Sequence, residues 1–316
     1  MKKRNLAAIF LGVTATAGIG GSVFFYRRAM KRGKKTKMKR TMRLAGMDWS
    51  KYEDFIAGRK ENLLAQPKED VYVVSEDGLT LHANYFPQGE EKKIVVCFHG
   101  YSSESMKEYL AISDYYLKKG YSLLLVDERA HGESDGEYIG FGCLDRQDAL
   151  CWLDWLIGNC GEDVEILMHG TSMGGSTVLM ASGLELPPQV KGIISDCGFT
   201  SAGDILAHVM RTIYHLPAYP VIPITNVINK FRAGYGINEC NAACEVRKAT
   251  VPILMIHGDA DTFVPLSMCE KIYENIASPK QKLIVEGAGH IESYYKDTAA
   301  YEQALDRFIA SLEEYY

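Results

Sequence analysis

The first 46 residues of this 316-residue chain contain no Asp and no Glu, although the whole sequence has 40 of them. They contain 13 of its 35 Lys and Arg residues, which leaves 22 basic against 40 acidic groups in the remainder, a net charge of about −18 with His neutral. An acidic body argues against nucleic acid as a partner. No Cys or His group has the short, paired spacing of a zinc site, so no metal is expected. A glycine-rich phosphate loop followed by Lys is also missing, so no nucleotide or other organic cofactor is indicated. All eight cysteines lie beyond residue 46, in a body too large to need a disulfide scaffold.

Charge is absent again between Leu6 and Tyr26, an apolar stretch flanked by Lys2-Lys3-Arg4 and by Arg27-Arg28. Its length suits one membrane-crossing helix, and the basic run from Arg27 to Arg43 then reads as a juxtamembrane stretch drawn to anionic lipid. A cleaved signal peptide with Ala15-Thr16-Ala17 at its cut site is the alternative; the apolar run continues well past Ala17, which favours an uncleaved anchor. Ten basic residues follow the span and three precede it, so the positive-inside tendency places the body in the cytoplasm. The even cysteine count leaves an external location open. The expected organisation is an anchor and basic segment over residues 1–46 and a single folded domain over residues 47–316.

In that domain, eight apolar runs read as strands: Val71 to Ser75, Leu79 to Phe86, Ile94 to Phe98, Tyr121 to Val126, Val164 to Met168, Lys191 to Ser195, Pro252 to Ile256 and Lys282 to Glu286. Most alternate with helical patterns, which predicts an α/β fold with a mainly parallel eight-stranded sheet flanked by helices. The first two, joined by Glu76-Asp77-Gly78, read as an antiparallel hairpin at its edge. Residues 199–250 break the alternation with Pro217, Pro220 and Pro223 and several apolar side chains. A connection of that length is seldom structureless, so a helical cap inserted after the sixth strand is expected.

The most informative segment is Gly170-Thr171-Ser172-Met173-Gly174, set between a strand and a small-residue helix. In that context G-x-S-x-G marks a serine on a sharp strand-to-helix turn, where side chains two residues away on either side would collide with the nucleophile. Two further strands end in His257-Gly258-Asp259-Ala260-Asp261 and in Gly287-Ala288-Gly289-His290. Candidate nucleophile, acid and base thus occur in the order Ser, Asp, His, each just past the C-terminal end of a strand, where open α/β sheets assemble their sites.

From about Val71 onward the chain resembles the α/β-hydrolase family, in particular its cap-bearing serine esterases and lipases. The resemblance rests on Cys97-Phe98-His99-Gly100-Tyr101, on Asp127-Glu128-Arg129-Ala130-His131-Gly132-Glu133-Ser134, on the serine turn, and on the Asp and His turns. It implies Ser172 as nucleophile, His290 as general base and acid, and Asp261 as the orienting carboxylate, the family's G-x-x-D-x-x-V-P turn falling on Gly258 to Pro265. Asp196, after the sixth strand, is a rival acid, and Asp259 is read as a turn cap. The implied oxyanion donors are the backbone N–H groups of Tyr101 and Met173. His99 and His131 read as structural supports, and Asp127 and Arg129 as a pair within their own turn. Ala130 stands where the family loop has glycine.

The function these readings imply is hydrolysis of a small-molecule acyl ester through an acyl-enzyme. Amides, thioesters, short peptides or acyl transfer use the same constellation. A catalytically idle membrane-bound scaffold is the alternative from a different class; oligomeric state is left open.

Overall fold

The computed structural model describes residues 20–33, 49–89 and 92–315. All eight expected strands are present, as β1 (Glu69–Val74), β2 (Thr80–Phe86), β3 (Lys93–Phe98), β4 (Ser122–Val126), β5 (Glu165–Thr171), β6 (Val190–Asp196), β7 (Ile253–Gly258) and β8 (Lys280–Val285). They form one sheet in the order β1-β2-β4-β3-β5-β6-β7-β8. β1 and β2 pair antiparallel as the edge hairpin, β2 pairs antiparallel with β4, and every other pairing is parallel. The central strands are apolar throughout because both faces of the sheet are covered, whereas the edge strand β1 alternates half-buried and exposed positions.

The helices are α1 (residues 20–29), α2 (Glu53–Leu64), α3 (Ser105–Tyr109), α4 (Ser113–Lys118), α5 (Asp145–Cys160), α6 (Met173–Ala181), α7 (Ala202–Thr212), α8 (Val221–Ala233), α9 (Ala242–Glu245), α10 (Leu266–Asn275), α11 (Ser293–Lys296) and α12 (Thr298–Tyr315). Successive strand residues point to opposite faces, so Ile94, Val96 and Phe98 of β3 join one apolar layer, with α5, α6 and α10, while Val95 and Cys97 join the other, with α2, α4 and α12. The stretch expected as a cap holds α7, α8 and α9 between β6 and β7. Its α7 is amphipathic and N-capped by the Ser201 hydroxyl, which accepts from Asp204 N–H. Ile205, Leu206, Val209 and Met210 face inward on it.

The expected membrane anchor is overturned. No helix among the described residues is long and apolar enough to cross a membrane. Of the stretch Leu6 to Tyr26, residues 6–19, including Ala15-Thr16-Ala17, lie outside the described residues. The rest belongs to α1, which packs on the catalytic body with Tyr26, Ala29 and Met30 buried in the larger apolar layer. Two of the basic residues that follow are bonded to the body: Lys31 pairs with Glu137, and Arg32 donates to the carbonyls of Gly132 and Ser134, both at 2.6 Å. Tyr101 Oη donates to the Ala29 carbonyl at 2.9 Å, tying α1 to the loop after β3. The basic segment beyond residue 33 lies outside the described residues.

Truncating a fully buried methionine in a packed layer removes its transfer energy and leaves a cavity. Met30→Ala is therefore expected to lower the unfolding free energy by about 2 kcal/mol, measured by urea denaturation of the full chain; no change would mean that α1 does not contribute to the core.

Candidate active site

Ser172 stands between β5 and α6 with φ 54° and ψ −109°, a conformation that costs an L-residue roughly 1–3 kcal/mol. The turn persists because its surroundings fix it from both sides. Ser172 N–H donates to the Asp196 carbonyl at the end of β6 at 2.8 Å, and Gly174 N–H to the His99 carbonyl beyond β3 at 3.1 Å. A Cβ on Gly170 would strike the Gly174 carbonyl, and one on Gly174 the carbonyl of Phe98. The two flanking glycines are thus a steric requirement, as the motif implied.

The three candidate side chains meet. Ser172 Oγ is 2.8 Å from His290 Nε2, and His290 Nδ1 is 2.7 Å from Asp261 Oδ2. With Nδ1–H donating to the carboxylate, Nε2 is left to accept from the serine hydroxyl. The other Asp261 oxygen accepts from the N–H groups of Phe263 (2.9 Å) and Val264 (2.8 Å), which fixes the carboxylate plane. All three side chains are buried, and the Phe263 ring lies 4.9 Å from the imidazole. Two turns hold His290 in place: Gly287 N–H donates to Asp259 at 2.6 Å, and Gly289 N–H to Glu292 at 2.9 Å, Glu292 being paired in turn with Lys51. Asp259 thus joins the Asp turn to the His turn.

Asp196, the rival acid, sits nearby but bonds elsewhere. Its Oδ2 accepts from Tyr301 Oη at 3.1 Å, and its Oδ1 has no hydrogen-bond partner among the described residues. Burial pushes its carboxyl up to about 7. Tyr301 also contacts His169, which bonds Tyr116 at 2.9 Å and is driven down to about 3 by burial, so this histidine is a neutral core group. Cys197 was not singled out from the sequence. Its thiol lies with the Asp261 carboxylate and the His290 ring within 4.8 Å, but burial raises it, and both histidine nitrogens are already engaged.

The loop after β3 lies against the serine. A Cβ on Gly100 would lie 3.3 Å from Ser172 Cβ, and Gly100 N–H is held by Glu108 at 2.7 Å. Tyr101 follows directly, and Met173 is the first residue of α6, where a backbone N–H has no intrahelical acceptor. His131 Nε2 accepts from Ser102 N–H at 3.0 Å while its Nδ1–H donates to the Arg129 carbonyl at 2.9 Å; burial holds its imidazole down to about 3 and therefore neutral. His99 Nε2 accepts from Glu128 N–H at 3.1 Å. Both histidines are supports, as expected.

Asp127 and Arg129 do not pair with each other. Arg129 forms two 2.6 Å bonds to Asp148 and reaches Asp77, since its side chain leaves the turn toward α5. Asp127 bonds His82, Ser105 and Glu133 N–H. Burial alone would raise its carboxyl, and these donors instead hold it well below the usual range. Ala130 occupies its turn at φ 63°, the conformation for which the family loop uses glycine. Of the remaining histidines, His257 donates to the Val264 carbonyl and His208 to that of Thr262, so both brace the Asp261 turn.

Comparison with known proteins agrees with this architecture. A family model described as serine aminopeptidase, S33, matches residues 89–218. The chain is 29% identical over 228 residues to the uncharacterized protein YqkD of Bacillus subtilis, covering 72% of this chain and 74% of that one. It is 27% identical over 244 residues to Rv2307c of Mycobacterium tuberculosis, covering 76% and 78%. Among solved structures it is similar to the esterase PF2001 of Pyrococcus furiosus, with TM-score 0.66, 23% identity and coverage of 79% and 93%. The esterase EaEST of Exiguobacterium antarcticum gives 0.57, 18%, 77% and 100%. The chain has the α/β-hydrolase fold, and these likenesses support a hydrolase on it.

Two substitutions test the local physics. A carboxyl raised in the folded state is deprotonated earlier in the unfolded chain, so Asp196 lowers stability progressively as pH rises from about 4, its unfolded value, to its folded value near 7. Asp196→Asn should remove that part of the pH dependence, read as converging urea midpoints at pH 4.5 and pH 7.5; midpoints that diverge as in the parent would show that the buried carboxyl is not protonated there. Ala130→Gly should change stability by less than about 1 kcal/mol, because relief of the positive φ is offset by added chain entropy and by the loss of a buried methyl. A large shift of the urea midpoint in either direction would contradict it.

Proposed function

We propose that this chain is a serine hydrolase that cleaves carboxylic esters through an acyl-enzyme. The observation that carries the reading is the continuous relay from Ser172 Oγ through His290 to Asp261, at 2.8 and 2.7 Å, on the turn at which α6 begins. His290 Nε2 takes the hydroxyl proton as Ser172 attacks the acyl carbon, and Asp261 stabilises the imidazolium that forms. The N–H groups of Met173 and Tyr101 stabilise the oxyanion. His290 then protonates the departing alkoxide, and a water activated by the same imidazole releases the acid and restores Ser172. No step needs a metal or an organic cofactor.

An amide or peptide substrate is the second reading, favoured by the description of the matching family model. The chemistry differs only in the leaving group, an amine that His290 must protonate before expulsion.

Ser172→Ala should reduce turnover of a p-nitrophenyl ester by about 10⁴-fold or more, and Asp261→Asn by about 10⁴-fold through the wrong histidine tautomer. Asp196→Asn should retain most activity. Steady-state rates on esters of rising acyl length, beside an aminoacyl anilide, separate the two substrate readings; a larger loss in Asp196→Asn than in Asp261→Asn would reassign the acid.

A further inference from the structure

The loop after β3 carries consecutive backbone N–H groups at Gly100, Tyr101, Ser102 and Ser103, and protein acceptors take all but one. Gly100 N–H donates to Glu108 Oε1 at 2.7 Å, Ser102 N–H to His131 Nε2 at 3.0 Å, and Ser103 N–H to the Gly100 carbonyl at 3.1 Å. Tyr101 N–H has no acceptor among the described residues. The peptide unit just before it, between His99 and Gly100, is gripped at both ends. Its carbonyl accepts from Gly174 N–H at 3.1 Å, and its N–H is the one that Glu108 holds. A planar unit fixed at both ends has no freedom to swing, so the course of the chain into Tyr101 is set there.

Glu108 is also close to the nucleophile. A Cβ on Gly100 would lie 3.2 Å from Glu108 Oε1, 3.5 Å from its Oε2 and 3.3 Å from Ser172 Cβ, so the carboxyl and the serine border the same small space. The carboxyl is carried by α3, whose two ends are fastened to the strand ends that build the site. Ser105 bonds Asp127, just past β4, through its N–H at 3.2 Å and its hydroxyl at 2.9 Å. The Tyr109 hydroxyl is shared between the carbonyls of Phe98 on β3, at 2.9 Å, and His169 on β5, at 3.1 Å. Both anchoring residues are buried. A short helix held at both ends delivers its acceptor to a fixed place.

We infer that Glu108 is a positioning residue for the proposed hydrolysis: by holding Gly100 N–H it fixes the loop with Tyr101 N–H left for the substrate oxygen. The inference rests on the serine-hydrolase reading and adds to it a residue outside both the relay and the oxyanion donors. What acts is the acceptor oxygen and its reach, not the charge.

Steady-state hydrolysis of p-nitrophenyl butyrate by the full chain, with three variants at Glu108, tests it. Glu108→Ala is expected to lower kcat and kcat/KM together by about 100-fold with KM nearly unchanged, the signature of stabilisation lost only in the transition state. Glu108→Asp keeps the charge but draws the acceptor back by one methylene, and is expected to lose about ten-fold in kcat. Glu108→Gln keeps a carbonyl oxygen at the same reach, and its kcat is expected to stay within about three-fold of the parent. Melting temperatures separate lost folding from lost turnover, and if Glu108→Ala does not fold, the contrast between Asp and Gln decides. A parent whose turnover survives Ser172→Ala removes the serine-hydrolase reading and the inference with it. Where Ser172→Ala does silence the parent, unchanged kcat in Glu108→Ala and Glu108→Asp overturns the inference alone, as does a Glu108→Gln loss as large as that of Glu108→Asp.

Discussion

The strained turn at Ser172 is the constraint on which the rest of the site depends. A serine at φ 54° is held only because backbone on two neighbouring strands grips it, through the Asp196 carbonyl on one side and the His99 carbonyl on the other. That grip needs β3, β5 and β6 adjacent and parallel with their C-terminal ends level, which is the observed order. It also needs Gly170 and Gly174, because a side chain at the first would strike the Gly174 carbonyl and one at the second the Phe98 carbonyl. Strain at this position is the local cost of projecting Oγ toward His290, and the packed sheet sustains it.

A second tier of buried polar groups fixes the loops that the sheet leaves free. His131 and His99, both without charge transfer in the proposed reaction, hold the loop after β3 and the turn after β4 against each other. Arg129 anchors that turn to α5 through Asp148, and Asp127 anchors it to β2 through His82. His257 and His208 brace the Asp261 turn by bonding carbonyls on it. All of these except the half-buried His208 are buried, and each makes the named bond, the condition under which such groups rigidify a loop. The α1 segment extends this scheme, since it closes part of the core and fastens Tyr101.

The strands, their alternation with helices and the three candidate side chains were legible in the chain because each has a local signature: apolar runs bounded by turns, glycines at fixed offsets from a serine, an acid and a histidine after strands. Arg129 was misread as the partner of Asp127 because sequence neighbours suggest each other, while a long side chain reaches whatever charge the fold brings near, here Asp148 nineteen positions on. The described end of the apolar stretch, residues 20–26, was misread as part of an anchor for a related reason. Apolar composition states that a segment avoids water, and lipid and a protein core satisfy that equally.

What the sequence by itself determined is the order of elements and the candidates, Ser172, His290 and Asp261 ahead of Asp196, since periodicity and turn chemistry act over a few residues. Which of the two carboxylates meets His290 was decided only by tertiary structure. Both follow parallel strands and both are buried, and they differ in which one's oxygen lies 2.7 Å from His290 Nδ1 and which one faces Tyr301. The docking of α1 was likewise invisible beforehand. It brings together segments 102 residues apart, as at Arg32 and Ser134, and no local pattern carries the distance between them.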